Sequence, residues 1–222
     1  MRVVTIDGPA GSGKSTVAKR LAERLGWRLL DTGAMYRAVA LAALDAGIDL
    51  SSPEEVGELA ERVEVQLPPG KVLLDGRDVT AEIRTVRVTR VVRFAADSRR
   101  ARRRLVVLQQ AFASEYPVVT EGRDQGTIVF PNALCKVFLT ATPEERARRR
   151  HAEFADKGER LSLEDLTREI AERDAVDAAR EIAPMKPADD AVLVDTTGLT
   201  LEQVVDRLEG LVRERLDRGD RT

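Results

Sequence analysis

Eight consecutive residues, Gly8-Pro9-Ala10-Gly11-Ser12-Gly13-Lys14-Ser15, constrain this chain more than any other stretch. They fit the pattern G-x-x-x-x-G-K-[S/T] at every position, and the pattern carries meaning only between a strand and a helix. Both flanks are present. Val3-Val4-Thr5-Ile6 reads as a short buried strand, and Thr16 to Leu25 sets Val17, Leu21 and Leu25 at helical spacing. Gly8, Gly11 and Gly13 can take positive φ, so the backbone can close around an anion. The loop's N–H groups and the positive end of the helix then converge on a phosphate. Lys14 adds a point charge that can follow a moving phosphoryl group, and the Ser15 hydroxyl can ligate Mg²⁺. Gly8, Pro9, Ala10, Gly11, Ser12, Gly13, Lys14, Ser15 and Thr16 are thus the candidate nucleoside triphosphate site.

The remainder of the chain supplies an α/β frame for that loop. Arg28-Leu29-Leu30-Asp31 predicts a second strand, and Thr32-Gly33 opens a helix that ends at Gly47. Ser51-Ser52-Pro53 starts another helix, which reaches about Arg62. Val63 to Leu67 and Lys71 to Asp75, joined by Pro68-Pro69-Gly70, predict a small antiparallel hairpin. Helices are expected over 85–96 and 99–115, the second beginning with the run Arg99 to Arg104, most of it read as a solvated face. Pro117 to Thr120 is a third core strand that delivers Glu121-Gly122-Arg123-Asp124. Lys136 to Thr140 is a fourth. Pro143 starts a helix in which Glu144/Arg148 and Glu145/Arg149 are spaced to pair. A helix over 162–181, a strand over 191–194 and a last helix over 201–216 complete the chain, with Leu201, Val204, Val205, Leu208, Leu211 and Val212 forming one apolar stripe. Helices alternating with five apolar strands predict a parallel sheet covered on both faces. Ligands of such sheets bind off the carboxyl ends of the strands. That places the glycine loop, Asp31-Thr32-Gly33 and Glu121 to Asp124 on one rim.

Composition narrows the function classes. The 222 residues carry a net charge of −2 with 33% charged, a mixed surface that argues against nucleic acid as a partner. Cys135 is the only cysteine and lies in an apolar strand, which fits a reducing compartment. With His151 the only histidine, in a charged stretch, thiolate and imidazole metal sites are all but excluded. No signal peptide opens the chain, and the longest apolar run, Ala38 to Leu44, is far short of a membrane span. A cytoplasmic monomer without membrane contact is expected.

Three kinds of nucleotide-binding protein use such a loop: switches, motors or transporter subunits, and small-molecule kinases. The only asparagine is Asn132, so the guanine-reading N-K-x-D is missing, and no Gly-Gly pair exists to build L-S-G-G-Q. A second set of anion-binding groups is present instead: Arg37 past Gly33, Arg123 after the third strand, and Arg173 and Arg180 on a late helix. Guanidinium forks hold phosphate in two-point contact. One phosphate cradle with a separate arginine set suits transfer between two anions.

These segments carry a family resemblance. Asp31-Thr32-Gly33-Ala34-Met35-Tyr36-Arg37, Glu121-Gly122-Arg123-Asp124, and Arg173-Asp174 through Arg180 to Pro184, together with the glycine loop, resemble the bacterial cytidylate kinases from Val3 to the last helix. The resemblance implies a nucleoside monophosphate kinase fold: a core over 1–32, 98–150 and 162–222, a monophosphate-binding insertion over 33–97 that includes the hairpin, and a lid over 151–161. It implies transfer of the ATP γ-phosphoryl to CMP or dCMP with Mg²⁺. By the same resemblance Thr32, Arg37, Arg123 and Arg180 hold the acceptor phosphate, Arg102 and Asp124 contact cytosine, and Arg173 and Asp177 lie near sugar and phosphate. Lys14, Arg123, Arg146 and Arg149 would be catalytic, the last two reaching the ATP phosphates. The family usually has a serine near position 93, where this chain has Arg93. A guanidinium only donates hydrogen bonds, so it can serve a pyrimidine carbonyl but not an exocyclic amine. Another acceptor, such as UMP or AMP, is the competing expectation.

Overall fold

The computed structural model describes residues 2–156, 162–179 and 181–219, with the backbone alone at Glu153, Asp156 and Arg173. The chain divides into two compact units, residues 1–29 with 116–222, and residues 30–115.

The first unit is built on a parallel sheet. Its strands are β1 (Val3–Asp7), β6 (Val118–Gly122), β7 (Cys135–Thr140) and β8 (Val192–Asp195), and β2 (Arg28–Asp31) carries the chain into the second unit. The order across the five-stranded sheet is β2-β6-β1-β7-β8. β1 is central, with Val4 opposite both Val119 and Cys135, and all five of its residues are buried. That is why its sequence reads as an unbroken β-branched run. Val4, Ile6, Val119, Val137, Leu139 and Val194 from the sheet pack against two helices, α1 (Lys14–Leu25) and α8 (Leu201–Gly219). Val17 and Leu21 come from α1, and Val204, Val205, Leu208 and Val212 from the expected stripe of α8. Each such side chain contributes about 1.5–3 kcal/mol by leaving water. Gly26 ends α1 in the left-handed conformation (φ 66°) that any other residue would adopt only with strain. α6 (Pro143–Asp156) and α7 (Leu163–Ala179) share a small core of Ala147, Leu166 and Ile170, which Phe154 covers. Arg148 turns to Glu145, at 2.9 and 3.0 Å, rather than to Glu144. The expected lid begins as the last turn of α6; its residues 157–161 lie outside the described residues.

The second unit holds α2 (Thr32–Asp45), α3 (Pro53–Arg62), α4 (Val86–Asp97) and α5 (Arg99–Glu115). Ser52 caps α3 by accepting the Glu55 N–H at 3.3 Å, with Pro53 at the first helical position. The predicted hairpin has a third strand. β3 (Val65–Gln66), β4 (Leu73–Leu74) and β5 (Arg77–Asp78) form an antiparallel sheet, and Asp75 and Gly76 make a two-residue turn with φ of 49° and 79°. The arginine run at the start of α5 is divided in its roles. Arg100 pairs with Glu54, Glu58 and Glu61 of α3, Arg102 is buried, and Arg99 and Arg103 face solvent. Among the described residues no helix is long and apolar enough to cross a membrane.

Candidate active site

The glycine loop leaves β1 at Asp7 and enters α1 at Lys14. Gly8, Gly11 and Gly13 have φ of 145°, 74° and 88°, the positive values that the sequence leads one to expect of them. A Cβ on Gly8 would lie 2.0 Å from the Leu139 carbonyl oxygen, so this position also needs the space. Lys14 is only 6% exposed and its Nζ donates to the Pro9 carbonyl at 2.7 Å, while Ser12 Oγ donates to the same oxygen at 3.1 Å. The lysine thus folds over the loop's own backbone.

Two arginines of α6 fasten that loop. Arg146, 6% exposed, donates from Nε to the Ala141 carbonyl at 3.1 Å and from Nη1 to the Ala10 carbonyl at 3.1 Å. Arg149 Nη1 reaches the Ser12 carbonyl at 3.3 Å and Thr196 Oγ1 at 2.9 Å. Glu145 aims Arg149 through a 2.8 Å contact with its Nε. Hydrogen bonds from Arg148 first, and then from Arg149, hold the Glu145 carboxyl down at about 2. On α7, Asp174 pairs with Arg146 and accepts the Ala10 N–H at 3.2 Å. Arg150 lies beside Phe154, 4.9 Å from the ring centre.

The carboxyl end of β6 adds the second half of this unit's polar cluster. Glu121 accepts the Ser15 hydroxyl at 2.9 Å, and Arg123 Nε pairs with Asp177 at 2.8 Å. Asp124 is buried, and its carbonyl accepts the N–H groups of Ile128 and Val129 as the chain winds into a π-helical turn, Gln125–Val129. Such turns are rare and gather at functional sites. The Asp7 carboxylate closes the start of the turn by accepting the N–H groups of Gln125 at 2.9 Å and Gly126 at 2.7 Å. Burial pushes the Asp7 carboxyl up to about 6, against the two amides and Lys14, which favour its charge. A proton therefore binds Asp7 more tightly in the folded chain. Its contribution to stability is full below its ordinary value of 3.8 and is lost as pH rises through about 6.

In the second unit, Asp31 caps α2 by accepting the Ala34 N–H at 2.9 Å, and Thr32 is buried as the first helical residue. Arg37 donates to Thr89 Oγ1 at 2.7 Å and to the Ile83 carbonyl at 3.4 Å. Arg102 sits 5.7 Å from the centre of the Tyr36 ring. Arg93 is exposed and lies 4.8 Å from the centre of the Phe94 ring.

The structure therefore gathers Lys14, Ser15, Arg123, Arg146, Arg149 and Asp177 within the first unit, and Thr32, Arg37 and Arg102 within the second. Arg173 falls in α7, and Arg180 lies outside the described residues. Sequence reasoning missed Asp7, Glu121 and Asp174 as contributors. Asp174 shares a helical face with Asp177 three residues on, a spacing visible in the sequence. The roles of Asp7 and Glu121 depend on partners more than a hundred residues away.

A family model described as "Cytidylate kinase" matches residues 4–214. A protein named cytidylate kinase from Shouchella clausii (strain KSM-K16) is 48% identical over 215 residues, 95% of this chain and 96% of the relative. One of the same name from Pseudomonas putida (strain W619) is 47% identical over 219 residues, 96% of each. A solved gluconokinase from Sinorhizobium meliloti 1021 has a TM-score of 0.52 at 20% identity over 99% of this chain and 97% of its own. An uncharacterized protein from Eubacterium ventriosum ATCC 27560 gives 0.56 at 10% identity over 96% and 99%. Those two structures are alike in fold alone.

Proposed function

The chain belongs to the cytidylate kinase family, and from that premise we infer its reaction. It transfers the γ-phosphoryl of ATP to CMP and dCMP, giving ADP with CDP or dCDP. The observation that carries this conclusion is a family match from residue 4 to residue 214 over a glycine loop whose eight positions are all intact.

Little covalent work falls to the protein in such a transfer, because the transition state is loose and its charge spreads over the equatorial oxygens. Catalysis is positioning plus electrostatics. We assign the backbone N–H groups between Gly8 and Thr16, all but that of Pro9, which has none, and the Lys14 ammonium to the ATP phosphates. Arg146 and Arg149 hold the loop's Ala10 and Ser12 carbonyls and bring positive charge to the same phosphates. Thr32, Arg37, Arg123 and Arg180 bind the acceptor phosphate, Arg102 and Asp124 the base, and Arg173 and Asp177 the sugar side. No general base is needed, since the acceptor phosphate is already an anion at neutral pH. The Ser15 hydroxyl and Glu121 carboxylate, 2.9 Å apart, are the hard oxygens that Mg²⁺ prefers, and they fit that ion. Bound there with ATP, Mg²⁺ would neutralise charge on the β- and γ-phosphates. The exposed large hydrophobics among the described residues are scattered, which supports a monomer. A single buried cysteine supports a cytoplasmic setting.

Acceptor choice is tested by ADP release with CMP, dCMP, UMP, AMP and GMP in turn. CMP and dCMP are expected to exceed AMP and GMP in kcat/KM by at least about 10²-fold, because buried polar groups of a base site are left unpaired by the wrong base. Arg93 in place of serine is expected to narrow the margin over UMP, whose ring carbonyl it can serve. A preference for AMP or UMP would overturn the cytidylate assignment.

A further inference from the structure

Asp7 stands at the end of the central strand, one residue before the glycine loop, and the chemistry described so far gives it no part. It is 4% exposed, and both of its oxygens are committed to the backbone across 118 and 119 residues of sequence. The amides it accepts are the first two of the turn Gln125–Val129, where helical geometry leaves N–H groups without partners. Asp124, at the cap position, contributes no side-chain hydrogen bond to them. The cap therefore comes from another strand. Gly126 permits the approach: a Cβ there would lie 2.9 Å from Thr5 Oγ1, 3.3 Å from Asp7 Oδ2 and 3.3 Å from Lys136 Cδ. Directly before these amides come Arg123 and Asp124, and Asp7 fixes where the chain delivers them.

We propose that Asp7 is a positioning residue for the acceptor nucleotide, its carboxylate holding the Gln125–Gly126 amides so that Arg123 and Asp124 are presented to the monophosphate. The inference rests on the cytidylate kinase reading. The charge it needs is held in a crowded field. Lys14 on α1 favours ionised Asp7, and Asp124 on the turn opposes it. On β7 Lys136 is engaged with Asp190 at 2.8 Å, and on β6's end Arg123 is engaged with Asp177. A protonated Asp7 loses one of its two acceptors, as Asn would.

The test is D7N in the full chain, with CMP varied at saturating ATP from pH 5 to 8, thermal melting alongside, and binding of a non-hydrolysable ATP analogue. Hydrogen bonds to a charged group predict a KM for CMP raised about tenfold or more at pH 7.5. The change in kcat should stay below about threefold, and the ATP analogue should bind within about twofold of wild type, because the phosphate loop is untouched. The ratio of variant to wild-type KM should shrink as pH falls through about 6, where wild-type Asp7 takes up its proton. CMP's own phosphate titrates equally for both proteins and cancels from that ratio. G126A, which displaces one of the two amides, should raise the same KM and stands in for D7N if that variant does not fold. A melting loss with KM for CMP unchanged, in whichever variant folds, would make Asp7 a structural cap and overturn the inference. A wild type that phosphorylates CMP beside such a variant sinks this inference alone. A wild type inert toward CMP sinks the functional reading and this one with it.

Discussion

K14A is expected to lower kcat by about 10²–10³-fold or more, the loss seen when one preorganised donor is removed from a site of developing charge. The structure shows why Lys14 is the residue to choose. Its ammonium is drawn over the glycine loop by the Pro9 carbonyl at 2.7 Å and lies almost wholly out of water, where a charge acts at a low effective dielectric. The γ-phosphoryl carries its charge from donor to acceptor, and a flexible lysine can travel with it in a way the fixed amides cannot. The effect belongs to the transition state. KM for ATP should change far less than kcat, because Gly11, Gly13 and the amino end of α1 still bind the phosphates. Steady-state kinetics with ATP varied at saturating CMP reads both quantities. A K14A enzyme within about tenfold of wild type in kcat would contradict the assignment.

G8A is expected to destabilise the chain by about 3 kcal/mol, from overpacking against backbone and from a φ of 145°. The new methyl would meet the Leu139 carbonyl oxygen at 2.0 Å. That oxygen cannot retreat without disturbing β7, whose neighbouring residues are in register with β1 on one side and β8 on the other. Gly26 provides the control, since its φ is 66° and nothing lies within 4 Å of a Cβ there. G26A should cost only the conformational part, about 1–2 kcal/mol. The difference should appear as a melting temperature lower in G8A than in G26A by about 2–8 °C for a chain of this size. Equal stability of the two variants would show that the contact with Leu139 does not govern the loop.

The sheet and the phosphate loop were legible because each rests on local pattern. β1 is a run of β-branched residues buried on both faces, and the glycines sit where positive φ is required. Gly47 and Ser52-Pro53 announced helix ends by their own chemistry. The third strand of the small sheet was less legible. β5 is two exposed residues, Arg77 and Asp78, with no apolar alternation, although Asp75-Gly76 before it is a turn signal in its own right. The π-helical turn after Asp124 was hidden for a different reason. Nothing in Gln125 to Val129 specifies it locally; its amides are held by Asp7 from the other end of the sequence. Within the site, the contacts that fix the loop were not legible, because Arg146 and Arg149 grip the carbonyls of Ala10 and Ser12 from far along the sequence. Most of the arginine run of α5 was read as a solvated face, yet its Arg100 meets three glutamates of α3, a pairing set by which side of α5 lies against that helix.

Following the phosphorus atom tests the central claim most directly. With ATP labelled at the γ-phosphate, CMP present and the full chain as catalyst, the label is expected in CDP, one for each ADP formed. Label released as inorganic phosphate, at a rate indifferent to CMP, would show a nucleotide hydrolase and contradict transfer between two bound anions.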